Sequence, residues 1–71
     1  MKLSYNSRIM KVLVKDLRKN LNLSQENFAF QSGISLRYLQ SIEAGKHTPS
    51  LIVLSKISKA FKISIKDLIE D

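Results

Sequence analysis

Apolar side chains recur along this chain at intervals of three and four residues. Ile9, Val12, Leu13 and Leu17 form one such stripe, and Phe28, Leu54, Ile57, Phe61 and Leu68 read as later parts of the same buried surface. That spacing covers one face of an α-helix, and no segment alternates with the period of two that a half-buried strand requires. The first stripe predicts a helix from about Asn6 to Asn20. Further helices are predicted over Gln25 to Gln31, Leu36 to Glu43, about Leu51 to Phe61, and Ile65 to Glu70.

The punctuation between these segments agrees with the helices. Ser24, Ser35, Ser50 and Ser64 each precede a helix start. A serine hydroxyl there accepts from a first-turn amide that has no partner within the helix. Ser64 and Asp67 additionally have the spacing of a capping box. Asn22 tolerates the left-handed conformation that ends helices, with Leu21 and Leu23 beside it placed to fold back onto the core. Gly45 follows the third helix as a stop, and Pro49 occupies the loop before the fourth, where its missing amide costs nothing.

The second and third helices are too short and too close to be independent. Residues Gln25 to Ile42 read Q-E-N-F-A-F-Q-S-G-I-S-L-R-Y-L-Q-S-I. Ala29 stands where two crossing helices need a small side chain, and Gly33 where a tight turn needs a residue without a Cβ. Phe28, Ile34, Leu39 and Ile42 supply the shared apolar contacts. This spacing is that of a helix-turn-helix, and from about Arg18 to Leu68 the chain resembles the phage-repressor type of DNA-binding domain, the Cro/C1 or XRE-like family. The resemblance implies a compact all-α domain of the lambda-repressor-like type. It would have five helices and a helix-turn-helix unit at about residues 25–43.

Length fits one domain and no more. The chain has 71 residues, enough to bury roughly 60% of its unfolded surface. No stretch approaches the roughly 20 apolar residues needed to span a bilayer, so no membrane association is expected. The basic start of the chain is interrupted at Lys11 and lacks a small-residue cleavage site, unlike a signal peptide. The absence of cysteine suits a reducing, cytoplasmic interior in a bacterium or phage host.

Charge narrows the partners. Twelve Lys and Arg against six Asp and Glu give a formal net charge of +6, which concentrates polyanions at the surface. Charge alone fits a soluble basic protein equally well, and the motif makes double-stranded DNA the expected partner. In a helix-turn-helix the second helix lies in the major groove and presents its outward N-terminal residues to base edges. Here those are Ser35, Leu36, Arg37, Gln40 and Ser41, because Leu39 and Ile42 point inward. The Arg37 guanidinium matches guanine O6 and N7, the Gln40 amide can pair with adenine N7 and N6, and Leu36 can meet a thymine methyl.

Backbone contacts should flank these. The resemblance places Gln25 against a phosphate at the start of helix two. Lys46, His47 and Thr48 would approach the duplex from the loop after helix three. Tyr38 either lies against helix one or brings its hydroxyl to a phosphate. Phe30 either caps a satellite cluster near helix one or marks a partner surface. The resemblance also implies a structural ion pair between Arg18 and Glu43, so neither belongs to any chemistry. Lys56, Lys59, Lys62 and Lys66 read as a solvated face.

Catalysis is not expected. The chain lacks a phosphate-binding glycine loop and a nucleophile paired with a base. His47, the only histidine, has no companion ligands, so neither metal nor cofactor is implied. One recognition helix covers a few base pairs, so a two-fold dimer is expected, with Ile52, Ile63, Ile65 and Ile69 as its interface; the alternative is that they close the monomer's own core. Repression of a palindromic operator is the default reading. The competing one is an antitoxin-like module that uses the same fold to bind a protein such as a toxin or RNA polymerase.

Overall fold

The computed structural model describes residues 7–64. Among them the chain forms four helices and no strand: α1 (Ser7–Asn20), α2 (Gln25–Ser32), α3 (Leu36–Glu43) and α4 (Leu51–Phe61). The expected fifth helix, Ile65 to Glu70, lies outside the described residues, as do Asn6, Asp67, Leu68 and the side chains of Ile9 and Val12. α2 runs one residue beyond the expected Gln31, and α3 has the expected bounds.

Three serines cap three helices. Ser24 Oγ accepts from the Asn27 amide at 3.1 Å, Ser35 Oγ from Tyr38 at 3.0 Å, and Ser50 Oγ from Val53 at 3.2 Å. Each serine backbone is extended, the conformation from which a side chain can reach back to the third amide; each such cap contributes about 1 kcal/mol. Gly33 ends α2 at φ 73°, in the left-handed region. The Ile34 amide then donates back to the Ala29 carbonyl at 3.0 Å, closing the turn of the helix-turn-helix. Asn22 adopts φ 60° after α1, as its residue type predicts.

The core is the meeting point of all four helices. Val14 of α1, Phe28 and Ala29 of α2, Leu39 and Ile42 of α3, and Leu54 and Ile57 of α4 are buried together. Phe28 stacks on Phe61 with ring centroids 4.8 Å apart and planes inclined by 22°, a separation at which aromatic pairs add to simple area burial. Ala29 lets α2 approach its neighbours, and α3 is held from behind by both α1 and α2.

Several expectations change here. Leu23 packs against the core but Leu21 stays exposed. Phe30 is 84% exposed, which removes the reading in which it caps a cluster. Ile63 is half-buried against the core. It is drawn there by a left-handed turn at Lys62 (φ 57°), a bond from its amide to the Ser58 carbonyl at 3.0 Å, and a bond from the Ser58 hydroxyl to its own carbonyl. For Ile63 the monomer-core reading therefore replaces the dimer one. Ile52, by contrast, is 71% exposed, while Ile65 and Ile69 lie outside the described residues.

One core position carries a polar mismatch. Ser32 is buried, and its Oγ has no hydrogen-bond partner among the described residues. A buried hydroxyl without a partner retains a desolvation cost and returns nothing for it. Ser32→Ala is expected to raise stability by about 1 kcal/mol, read as a higher urea midpoint at unchanged slope.

Candidate nucleic-acid interface

α3 has one committed face. Leu39, Ile42 and Glu43 are buried on it, which leaves Arg37 and Gln40 exposed with Ser41 half-buried beside them. Arg37, Gln40, Ser41, Ala44 and Lys46 line a shallow depression of about 280 Å³ along the outer side of the helix. Four of the five are polar, and the two cations stand at its rim without an acidic neighbour in the lining. The depression therefore offers donors to an acceptor-rich ligand.

The other predicted base-reading residues occupy different environments. Ser35 is exposed, and its oxygen is the N-cap of α3, which spends one of its two acceptor lone pairs and leaves the other and the hydroxyl hydrogen for a partner. Leu36 is half-buried, so a smaller part of it is available than its position suggested. Lys46, His47 and Thr48 are exposed in the loop after α3. Tyr38 packs its ring partly against the core, 6.3 Å from the His47 ring. That loop and the start of α3 are thus joined by an aromatic contact.

Beneath this surface lies the pair expected from the resemblance. Arg18 Nε donates to Glu43 Oε2 at 2.7 Å and Nη2 to Oε1 at 3.0 Å, a two-pronged contact. Arg18 Nη1 donates to the Leu23 carbonyl at 3.0 Å, tying down the turn between α1 and α2. The two side chains are 13% and 5% exposed. Burial alone would push the Glu43 carboxyl up. The hydrogen bonds from Arg18 and Gln25, with the positive charges of Arg18 and Lys15, outweigh burial and hold it below its ordinary range. Glu43 is therefore an anion and can only accept.

Gln25 has partners within the protein that the sequence did not suggest. Its Nε2 donates to Glu43 Oε1 at 3.1 Å, and its Oε1 accepts from Gln40 Nε2 at 3.4 Å. The side chain is half-buried, and it links the ion pair to the exposed face of α3. Sequence reasoning missed this link because the partners are 15 and 18 residues apart, and no local period connects them. The signal that could have found it is chemical: an amide at the start of α2, directly over the end of α3, offers both a donor and an acceptor.

Among the described residues no group of three His, Cys, Asp or Glu side chains comes together, and no helix is long and apolar enough to cross a membrane.

Comparison with known proteins places this geometry. A family model described as helix-turn-helix matches residues 14–68. The chain is 44% identical over 59 residues to the control protein C.MunI of a Mycoplasma species, covering 82% of this chain and 80% of that one. It is 37% identical over 59 residues to the uncharacterised HTH-type transcriptional regulator YgzD of Bacillus subtilis, covering 83% and 89%. Among solved structures, the restriction-modification controller protein C.AhdI from Aeromonas hydrophila matches with a TM-score of 0.78 at 32% identity, over 84% of this chain and 91% of that one. The hypothetical transcription factor NHTF from Neisseria matches with a TM-score of 0.77 over 97% and 83%, and at 20% identity it speaks for the fold alone.

Proposed function

The chain belongs to the helix-turn-helix family of DNA-binding transcriptional regulators, and from that premise we propose that it represses transcription as a dimer, each protomer laying α3 in the major groove of one half of a two-fold-symmetric operator. The observation that carries this reading is the division of α3. Its inner side is spent on the core, and its outer side brings Arg37, Gln40 and Ser41 into one depression with Lys46. Arg37, Gln40 and Ser41, with Ser35 and the exposed edge of Leu36, read base edges. Lys46, His47 and Thr48 meet the sugar-phosphate backbone, joined by Gln25 through its remaining amide hydrogen and by the Tyr38 hydroxyl.

The protein works by occupancy, in the cytoplasm and without a catalytic step. The likeness to C.MunI and C.AhdI favours control of restriction-modification genes as its target class.

Dimerisation is supported by an apolar patch that the monomer leaves open. Leu51 is 62% and Ile52 71% exposed, and with Ser55, Lys56 and Lys59 they line a depression of about 410 Å³ on the outer face of α4. Two large side chains adjacent on one helix face, unlike a single scattered one, mark a contact surface. A dimer that reads two half-sites needs its recognition helices one turn of DNA apart, about 34 Å, and this face is our candidate for the contact that sets that spacing.

The test is selection from a random duplex pool at near-physiological salt, followed by sequencing of the bound fraction. Enrichment of a two-fold-symmetric site supports the whole proposal. Ile52→Lys is expected to weaken self-association roughly a hundredfold, since a two-fold dimer loses the side chain from both protomers and each contributes about 1.5 kcal/mol or more when buried; in the same selection it should recover half-sites. Retention that collapses with salt and enriches no sequence would sink the operator reading. A protein partner would then be the better account of the fold.

A further inference from the structure

Gln25 and Gln40 meet at the boundary between the buried ion pair and the reading surface, and both carry amides whose two ends differ. We infer that the Glu43 carboxylate, acting through Gln25, fixes which end of the Gln40 amide faces the DNA. Gln40 thereby selects a base that donates a hydrogen bond. The inference rests on the proposal that α3 reads the major groove.

The chain of contacts has a single consistent polarity. Both Glu43 oxygens accept from Arg18, and Oε1 also accepts from Gln25 Nε2. A carboxylate held in this way can only accept, so Gln25 must turn its nitrogen inward. Its oxygen then faces outward, where it accepts from Gln40 Nε2. Gln40 in turn spends one of its two N–H groups on Gln25, which turns its Oε1 away from Gln25, and it lines the depression shared with Arg37 and Ser41. A free glutamine amide flips to suit donors and acceptors alike. One whose nitrogen is tethered favours partners with an amine hydrogen. In the major groove those are adenine N6 and cytosine N4, whereas guanine and thymine offer oxygens. Gln25 is in this sense a positioning residue for specificity, in addition to any phosphate it touches.

The experiment compares enriched sequences from a random duplex pool for the intact protein and four variants, with urea unfolding of each variant as a control for folding. Gln40→Ala identifies the base position that depends on Gln40. At that pair, removing the major-groove amine from the duplex (purine in place of adenine, or 2-pyrimidinone in place of cytosine) should weaken wild-type binding, whereas removing the oxygen of the opposite base should not. Gln25→Met removes both amide contacts at similar volume. It should relax the preference there by about three- to tenfold, the worth of one net hydrogen bond. The position that depends on Arg37, identified with Arg37→Ala, should stay unchanged. Gln25→Lys keeps a donor for Glu43 but offers Gln40 only donors, and should change which base pair is preferred there and abolish the dependence on its amine. A purely structural or phosphate-binding Gln25 would lower affinity for all sequences evenly. Unchanged base preference in both Gln25 variants overturns the inference. So does wild-type binding that is indifferent to loss of that amine, or a Gln40→Ala variant that alters no position; operator reading by α3 survives all three results. Failure of the wild type to enrich any sequence overturns both.

Discussion

Glu43→Ala is expected to lower the folding free energy by about 3–5 kcal/mol, the cost of stranding a buried charge. Arg18 would keep its guanidinium only 13% exposed, with two of its donors and the Gln25 amide left without the carboxylate they share. Against the roughly 5–15 kcal/mol that holds a typical domain together, such a loss takes much of the total. Arg18→Met should cost a similar amount. The double replacement Arg18→Met with Glu43→Leu should recover a large part of it, because two apolar side chains of comparable volume need no partner. Urea unfolding of the three variants at neutral pH checks all of this together.

The same pair predicts the shape of acid unfolding. In the unfolded chain Glu43 titrates near pH 4.3. In the folded domain its carboxyl lies lower, because the Arg18 and Gln25 hydrogen bonds outweigh burial. The folded state therefore prefers the ionised form. The stabilisation is complete above the unfolded pKa and is lost as pH falls through the lower folded value. Glu43→Gln should unfold with a shallower dependence on pH below about 4.3 than the wild type.

Arg37→Ala is expected to weaken binding to the selected operator by roughly 1–3 kcal/mol, with relaxed preference at one base position. Arg37 is the side chain on α3 that combines exposure, a positive charge and two parallel donors. Because it makes no contact with the core, its removal should leave the urea midpoint within about 0.5 kcal/mol of the wild type. Lys46→Ala provides the contrast. A loop cation facing phosphates should lower affinity for every sequence alike and reduce the salt slope by about one. Competitive titration against operator and scrambled duplexes at two salt concentrations separates these results. Loss of equal size on both duplexes for Arg37→Ala would remove it from the base-reading set.

Much of this architecture could be read from local chemistry. Leu13 and Leu17 of the first apolar stripe, three of the capping serines, Asn22 and Gly33 each act within a few residues of their own position, and the structure places them as the sequence implies. The Arg18–Glu43 pair was accessible through resemblance alone, since 25 residues separate its members. What escaped was set by tertiary contact. Lys62 adopts φ 57° with nothing in a lysine to announce it. That turn sends Ile63 inward, although its apolar character fitted an interface as well as a core. Leu36 lies on the outward arc of α3 yet is half-buried. The contacts of Gln25 with Glu43 and Gln40 went unread because both partners come from another helix, 18 and 15 residues along the chain.

The serine that caps α3 has an electrostatic consequence as well. Aligned peptide dipoles leave roughly half a positive charge at a helix N-terminus. In α2 a glutamate in the first turn, Glu26, offsets that charge, whereas the first turn of α3 carries no acidic residue and its cap, Ser35, is neutral. An aspartate would cap the helix as well and cancel the charge. With serine, the end of α3 that would enter the groove keeps its own attraction for the negative field of a nucleic acid, before Arg37 or Lys46 contributes anything.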